Sequence, residues 1–157
     1  MAQTNPVVGD VGGNVVRLCK WAQRAVAAGA ELVVFPELSV CGYPPMDLLE
    51  RRWFVAQVQE GVAEVARCSA RLGGAGILFG APVPTGHENG KQLHNAALLA
   101  ADGQVVAVRA KALLPTYDVF DEARYFAPAD EVAVVPFHGE RLGIHVCEDA
   151  WTDPSIG

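Results

Sequence analysis

Nothing in the 157 residues approaches the ~20 consecutive apolar positions that a membrane-spanning helix needs, so no membrane partner is expected. A basic stripe is missing too. Twelve Lys+Arg against eighteen Asp+Glu leave a formal charge of −6, which argues against nucleic acid as a partner. There is no internal repeat, low-complexity tract or obvious linker. The start, Met1-Ala2-Gln3-Thr4-Asn5-Pro6, has no charged-then-apolar leader pattern, and a cytoplasmic location is the default expectation. Cysteine is sparse, and Cys19, Cys41, Cys68 and Cys147 form no CxxC pair. They read as free thiols rather than a disulfide frame or zinc site. Charged residues reach only 19% while apolar residues make up 51%, which excludes disorder and suits one domain or a piece of a larger one.

What is present alternates between helical and strand patterning. Asn14 is placed to cap a helix whose apolar positions Val15, Leu18, Cys19, Ala22 and Val26 recur at helical spacing, with Gly29 ending it. Residues 31–35 form a short apolar run stopped by Pro36, which predicts a buried strand. A second helix fits residues 51–72, closed by Gly73-Gly74, and residues 77–81 return as a strand. Strands over 95–100 and 105–109 flank Asp102-Gly103, a hairpin signal. Residues 111–130 carry no periodicity, and two further strands are predicted over 132–137 and 142–146 about a turn at Gly139. This order predicts a layered α/β fold with helices covering a sheet.

Several residues could carry chemistry. Cys147 follows an apolar run and would emerge at a strand end, where α/β sheets place reactive groups. A small buried apolar residue is its alternative reading, and the adjacent Glu148 and Asp149 disfavour a thiolate. His145 lies two residues earlier. In regular strand geometry that is a separation of roughly 6.6 Å, too far for a direct dyad. His87, His94 and His138 lie in or beside polar loops or turns and read as solvated. Glu37 sits just past a strand beside apolar residues, where a carboxylate can serve as a general base. Lys111 follows another strand end. Singly, each has an ordinary structural reading. Together they deliver an acid/base, an ammonium and a thiol, the set an amide hydrolase needs.

The segments Phe35-Pro36-Glu37-Leu38, Lys111 ahead of Leu114-Pro115-Thr116-Tyr117, and Val146-Cys147-Glu148-Asp149 resemble, in order and spacing, the three signatures of the nitrilase or carbon–nitrogen hydrolase superfamily. Within it, Ala2-Gln3-Thr4-Asn5-Pro6 with Gly9-Asp10, residues 42–49 (Gly-Tyr-Pro-Pro-Met-Asp-Leu-Leu) and above all the run from Leu114 to Phe126 resemble the glutaminase domains of glutamine-dependent NAD synthetases. The resemblance covers essentially the whole chain.

The resemblance implies an α-β-β-α sandwich and hydrolysis of the side-chain amide of L-glutamine. By it, Glu37 is the base, Cys147 the nucleophile, and Lys111 with the backbone N–H of Glu148 the oxyanion holders. Glu122 steadies the charges of Lys111 and Glu37, and Tyr117 helps bind glutamine. It also implies a homo-oligomer and a separate synthetase domain that converts deamido-NAD to NAD, with ATP and magnesium bound there and no cofactor in this segment. Gly12-Gly13 and Gly73-Gly74 read as turn or cap glycines rather than phosphate cradles. The chain is therefore expected to be a partial glutaminase domain over 1–157, truncated after the nucleophile strand, with the synthetase domain absent. Two other readings are another nitrilase-type amidase or carbamoylase, and a non-catalytic shortened subunit that pairs through an open sheet edge.

Overall fold

Asp10 opens the first helix. In a computed structural model, which describes residues 1–151, α1 spans Val11–Ala27 and the Asp10 carboxylate accepts a hydrogen bond from the N–H of Gly13 at 3.0 Å. A side chain at Gly13 would meet that carboxylate, since a Cβ there would lie 2.1 Å from Asp10 Oδ2. The predicted cap, Asn14, is instead inside the helix and buried. Its Oδ1 accepts from Val7 N–H at 2.9 Å, and its Nδ2 donates to the carbonyls of Val7 and Val40. It ties the irregular N-terminal segment to the core, satisfying polar groups that burial would otherwise leave unpaired. Residues 152–157 of the expected 1–157 domain lie outside the described residues.

The apolar stripe of α1 (Val11, Val15, Leu18, Ala22) packs with that of α2, Arg52–Ser69, whose buried face includes Phe54, Val58, Val62 and Val65. Both helices lie on one face of a four-stranded sheet of order β1-β2-β3-β4. Its strands are β1 (Leu32–Val34), β2 (Gly76–Pro84), β3 (Leu93–Ala101) and β4 (Gln104–Ala110). β1 runs parallel to β2, as a helical crossover requires, and the other pairs are antiparallel. β3 and β4 are joined at Asp102-Gly103, where both φ angles are positive, at 49° and 86°, as a two-residue hairpin turn demands. β3 is buried almost throughout, which explains its unbroken Ala/Leu run.

The last two predicted strands are shorter and shifted. β5 is Val135–Phe137 and β6 is Glu140–Leu142, paired about a turn at His138-Gly139. Phe137 lies over Gly76, so this ribbon rests on the sheet face opposite the helices. Residues 143–146 are not a strand. The N–H of Val146 goes to the Asp149 carboxylate at 3.1 Å rather than to a neighbouring strand, which ends the ladder before Cys147. Helix, sheet and ribbon are thus successive layers of a mixed α/β fold. No described helix is long and apolar enough to cross a membrane.

One close approach sets the site. Backbone of the segment leaving β1 lies directly on β2 at Gly80, where a Cβ would fall 2.2 Å from Leu38 N and 2.8 Å from Glu37 C. Val40 N–H donates to Gly80 O, and Gly80 N–H donates to Ser39 Oγ. Gly80→Ala should therefore push the Glu37 loop off the sheet and destabilise the chain by about 1–3 kcal/mol, read from urea unfolding. A change below about 0.5 kcal/mol, the scale of an ordinary surface substitution, would show that the loop gives way at no cost.

Candidate active site

Lys111 is the centre of the cluster. It stands one residue past β4 with its N–H held by Asn95 O at 2.8 Å, and its side chain is fully buried at 0% exposure. A buried ammonium needs partners. It has two: Glu37 Oε1 at 2.9 Å and Glu122 Oε1 at 2.8 Å. Glu37 arrives on the loop after β1, and Glu122 on a 3-10 turn, Glu122–Arg124, inside the segment that has no sequence periodicity. Burial works to lower the lysine pKa, but the hydrogen bonds and charges of Glu122 and Glu37 more than reverse it. The ammonium is held above its ordinary value.

Two further side chains complete the cluster, and sequence reasoning assigned a role to neither. Asn95, fully buried on β3, donates from Nδ2 to Glu37 Oε1 at 2.6 Å and to Glu122 Oε2 at 3.2 Å. Tyr43 donates its hydroxyl to Glu122 Oε1 at 2.7 Å. Burial first, then the Glu122 hydrogen bond and charge, push the Tyr43 phenol well above its usual value, so it stays a donor. A signal for Asn95 existed: a lone amide at the head of the apolar run 96–101 calls for a polar partner. Tyr43 sits in a motif that was read, but its partner lies 79 residues away.

Cys147 is the exposed cysteine of the four. It follows Val146, which is extended, and itself takes a left-handed φ of 47° at the start of a 3-10 turn, Cys147–Ala150. A sharp turn after an extended residue presents a nucleophile clear of the backbone. The thiol and Glu37 border one small cavity of about 100 Å³, together with Phe35, Ala96 and Ile144. Burial raises the thiol pKa, the negative Glu37 raises it further, and Lys111 opposes them. The net direction is upward, so the resting group is a neutral thiol. Burial alone pushes Cys41 up to about 12, which marks it as inert.

The remaining residues fall around this core. Tyr117 is exposed, and its hydroxyl donates to Glu148 Oε2 at 2.9 Å, which raises its pKa. Glu148 follows Cys147 in the 3-10 turn, so its side chain is engaged with Tyr117 while its backbone flanks the thiol. His145 points away from any dyad: its Nδ1 meets the carbonyl of Asp149 at 3.2 Å. His87 is exposed 3.6 Å from Asp130, and exposed His138 faces the Gly74 carbonyl. His94 departs from expectation. It lies on β3, half-buried, with Nδ1 at 2.9 Å from Ala127 O, because β3 begins two residues before its predicted start. Among the described residues, no group of three or more His, Cys, Asp or Glu is arranged to hold a metal ion. A larger groove of about 760 Å³ along Val55, Leu93 and Tyr125 holds none of the Glu37, Lys111 and Cys147 set.

Comparison with known proteins gives the same grouping. The model of the carbon-nitrogen hydrolase family matches residues 1–156. The glutamine-dependent NAD(+) synthetase of Synechocystis is 39% identical over 159 residues, covering 99% of this chain and 28% of that protein. The solved glutamine-dependent NAD+ synthetase of Acinetobacter baumannii, in complex with ADP, superposes with a TM-score of 0.86 at 35% identity, over 97% of this chain and 28% of its own. An amidase of the nitrilase superfamily from Nesterenkonia matches with a TM-score of 0.78 at 27% identity, over 93% of this chain and 53% of that one. The chain thus spans little more than a quarter of the length of the NAD synthetases it matches. With its layers, its Glu37–Lys111–Cys147 cluster and a family match over nearly its whole length, this chain belongs to the carbon–nitrogen hydrolase family.

Proposed function

We propose that this chain carries the glutaminase centre of a glutamine-dependent NAD synthetase, hydrolysing the side-chain amide of L-glutamine through a thioester on Cys147. The observation that carries the reading is the shared site: Glu37 accepts a hydrogen bond from the Lys111 ammonium at 2.9 Å and lines one small cavity with Cys147. The names of the relatives supply the substrate class. The higher identity to the Synechocystis and Acinetobacter baumannii NAD synthetases than to the Nesterenkonia amidase, and the closer superposition on the Acinetobacter one, favour glutamine over other amides.

Both fixed bonds to Glu37, from Asn95 and Lys111, fall on Oε1, so proton transfer is the task of Oε2. Glu37 takes the thiol proton as sulfur attacks the amide carbon. An ammonium has three N–H donors, and Glu37 and Glu122 engage two of those on Lys111. The third, with the backbone N–H of Glu148, holds the developing oxyanion. Glu37 then returns the proton to nitrogen as the carbon–nitrogen bond breaks, and ammonia leaves. Water, losing a proton to Glu37, cleaves the thioester to glutamate and restores the thiol. Glu122 steadies the two charges, and Tyr117 contacts glutamine from the rim.

The ammonia passes to a synthetase domain, which amidates deamido-NAD and is where ATP and magnesium act. That domain, the homo-oligomer and a cytoplasmic location belong to the same proposal.

A glutamine-like diazo-ketone should label Cys147 alone, and Cys147→Ala should abolish labelling while Cys19, Cys41 and Cys68 stay unmodified in peptide maps. Equal labelling of all four thiols would overturn a formed site. Selective labelling of Cys147 by small-amide analogues, with the glutamine analogue inactive, would favour the other amidase reading.

A second prediction follows from the sign of the thiol shift. Because the negative charge of Glu37 helps hold the Cys147 pKa above 9.0, Glu37→Gln should move the pH midpoint of Cys147 alkylation downward. The same change should lower glutamine turnover by about 10²-fold or more, since the base is lost. An unmoved or raised midpoint would separate Glu37 from the thiol.

A further inference from the structure

Asp149 has no part in the chemistry just described, yet its carboxylate accepts three hydrogen bonds, as many as that of Glu122. Oδ1 accepts two backbone hydrogen bonds, from Ala112 N–H at 2.9 Å and Leu113 N–H at 2.8 Å. Oδ2 accepts a third, from Val146 N–H at 3.1 Å. Ala112 and Leu113 directly follow Lys111, and Val146 directly precedes Cys147. One side chain therefore grips the backbone on the exit side of the oxyanion lysine and on the entry side of the nucleophile. The grip on the nucleophile is closed from the other direction as well, because Asp149 N–H donates to Val146 O at 3.1 Å. That ring encloses Cys147, whose left-handed backbone costs of order 1–2 kcal/mol for a residue with a Cβ.

The sheet does not make this connection. β4 ends at Ala110, and β6 ends at Leu142, so no ladder joins 111–113 to 146–147. Among the described residues, the side-chain hydrogen bonds that link these two stretches all run through Asp149.

We propose that Asp149 is a positioning residue that sets the register of Cys147 against Lys111. It acts by bridging the two backbone segments that carry them, and it touches neither substrate nor reacting atoms. The proposal rests on the reading of Cys147 and Lys111 as nucleophile and oxyanion holder. It requires an acceptor with two oxygens in two directions. Asparagine keeps the oxygen facing Ala112 and Leu113 but turns an N–H₂ toward the Val146 N–H, so it breaks only the nucleophile arm. Alanine breaks both arms.

The test uses the chain with Asp149→Asn and Asp149→Ala. Iodoacetamide alkylation of Cys147 is followed by mass across pH, and amide hydrogen exchange is followed at residues 112, 113 and 146. In Asp149→Asn, exchange at Val146 should rise at least tenfold while Ala112 and Leu113 keep their protection. In Asp149→Ala all three should rise. The alkylation midpoint should move down toward the ordinary thiol value in both, and further in the alanine variant.

Equal midpoint shifts in the two variants would mean that only the lost negative charge matters, and would overturn the proposal. So would an unchanged midpoint with faster exchange, which is what a merely structural role gives. If the alanine variant unfolds, the asparagine variant decides: a rise confined to Val146 together with a lowered midpoint upholds the bridge, and any other pattern refutes it. Neither readout involves glutamine, so a failure of the glutaminase reading would appear separately, as an inert parent toward the diazo-ketone.

Discussion

The buried ammonium of Lys111 is the constraint around which the chain is organised. A lone charge removed from water would be prohibitively unfavourable, so the fold must bring anions to it. It brings two, from the exit of β1 and from the 3-10 turn at Glu122, and these are held in turn by Asn95 from β3 and Tyr43 from the loop after β1. β1 and β4 therefore end just before Glu37 and Lys111, while Asn95 reaches the cluster from within β3. Burial, and after it the negative charge of Glu37, keep the thiol beside the cluster neutral against the pull of Lys111. In the proposed reaction, passing the thiol proton to Glu37 moves that negative charge onto sulfur without changing the total. A dry site tolerates such an internal transfer far better than the creation of new charge.

Backbone strain is placed at the same points. Leu38, next to Glu37, has φ 46°; Asp121, before Glu122, has φ 39°; and Cys147 has φ 47°. Residues with a Cβ adopt this region at a cost, and they keep it only where neighbours fix them. Leu38 is wholly buried, and its carbonyl accepts from Cys41 and Gly42. The turn at Asp121 is pinned by Glu122 N–H to Pro115 O at 2.9 Å. At Cys147 the fixing partner is Asp149. The three chemical side chains Glu37, Glu122 and Cys147 thus sit at sharp reversals, each reversal stabilised by hydrogen bonds that reach across sequence or close a small ring.

Local patterning made much of this fold legible. The amphipathic stripes of α1 and α2, the apolar β2 and β3 and the Asp102-Gly103 hairpin are all short-range signals, and they read correctly apart from boundaries. Two failures share a cause. Asn14 resembled a cap because its best partners, Val7 and Val40, lie outside any helical window, and residues 142–146 resembled a strand because nothing local shows that Asp149 will take the Val146 N–H. At the site, Glu37, Lys111 and Cys147 were legible as polar groups at strand ends. Asn95 and Tyr43 were not assigned, since a hydrogen bond to Glu122 across 27 or 79 residues leaves no periodic trace. Glu122 itself came only from family resemblance, because its segment has neither alternation nor helical spacing.

The proposed chemistry explains how an amide would be cleaved but not which one, since a carboxylate, an ammonium and a thiol act on the carbonyl common to all amides. Selection has to come from the walls. Beside the cluster runs an aromatic series: Tyr43 and Phe120 have ring centroids 6.3 Å apart, and Phe120 and Tyr117 meet edge-on at 5.3 Å. The series starts at Glu122, through the Tyr43 hydroxyl, and ends at Glu148, through the Tyr117 hydroxyl. It therefore connects the carboxylate that supports Lys111 to the residue that follows Cys147. A substrate group lying against Tyr117 and Phe120 would be sensed at both ends of the reacting geometry. Remote binding energy reaches the chemical step through contacts of that kind.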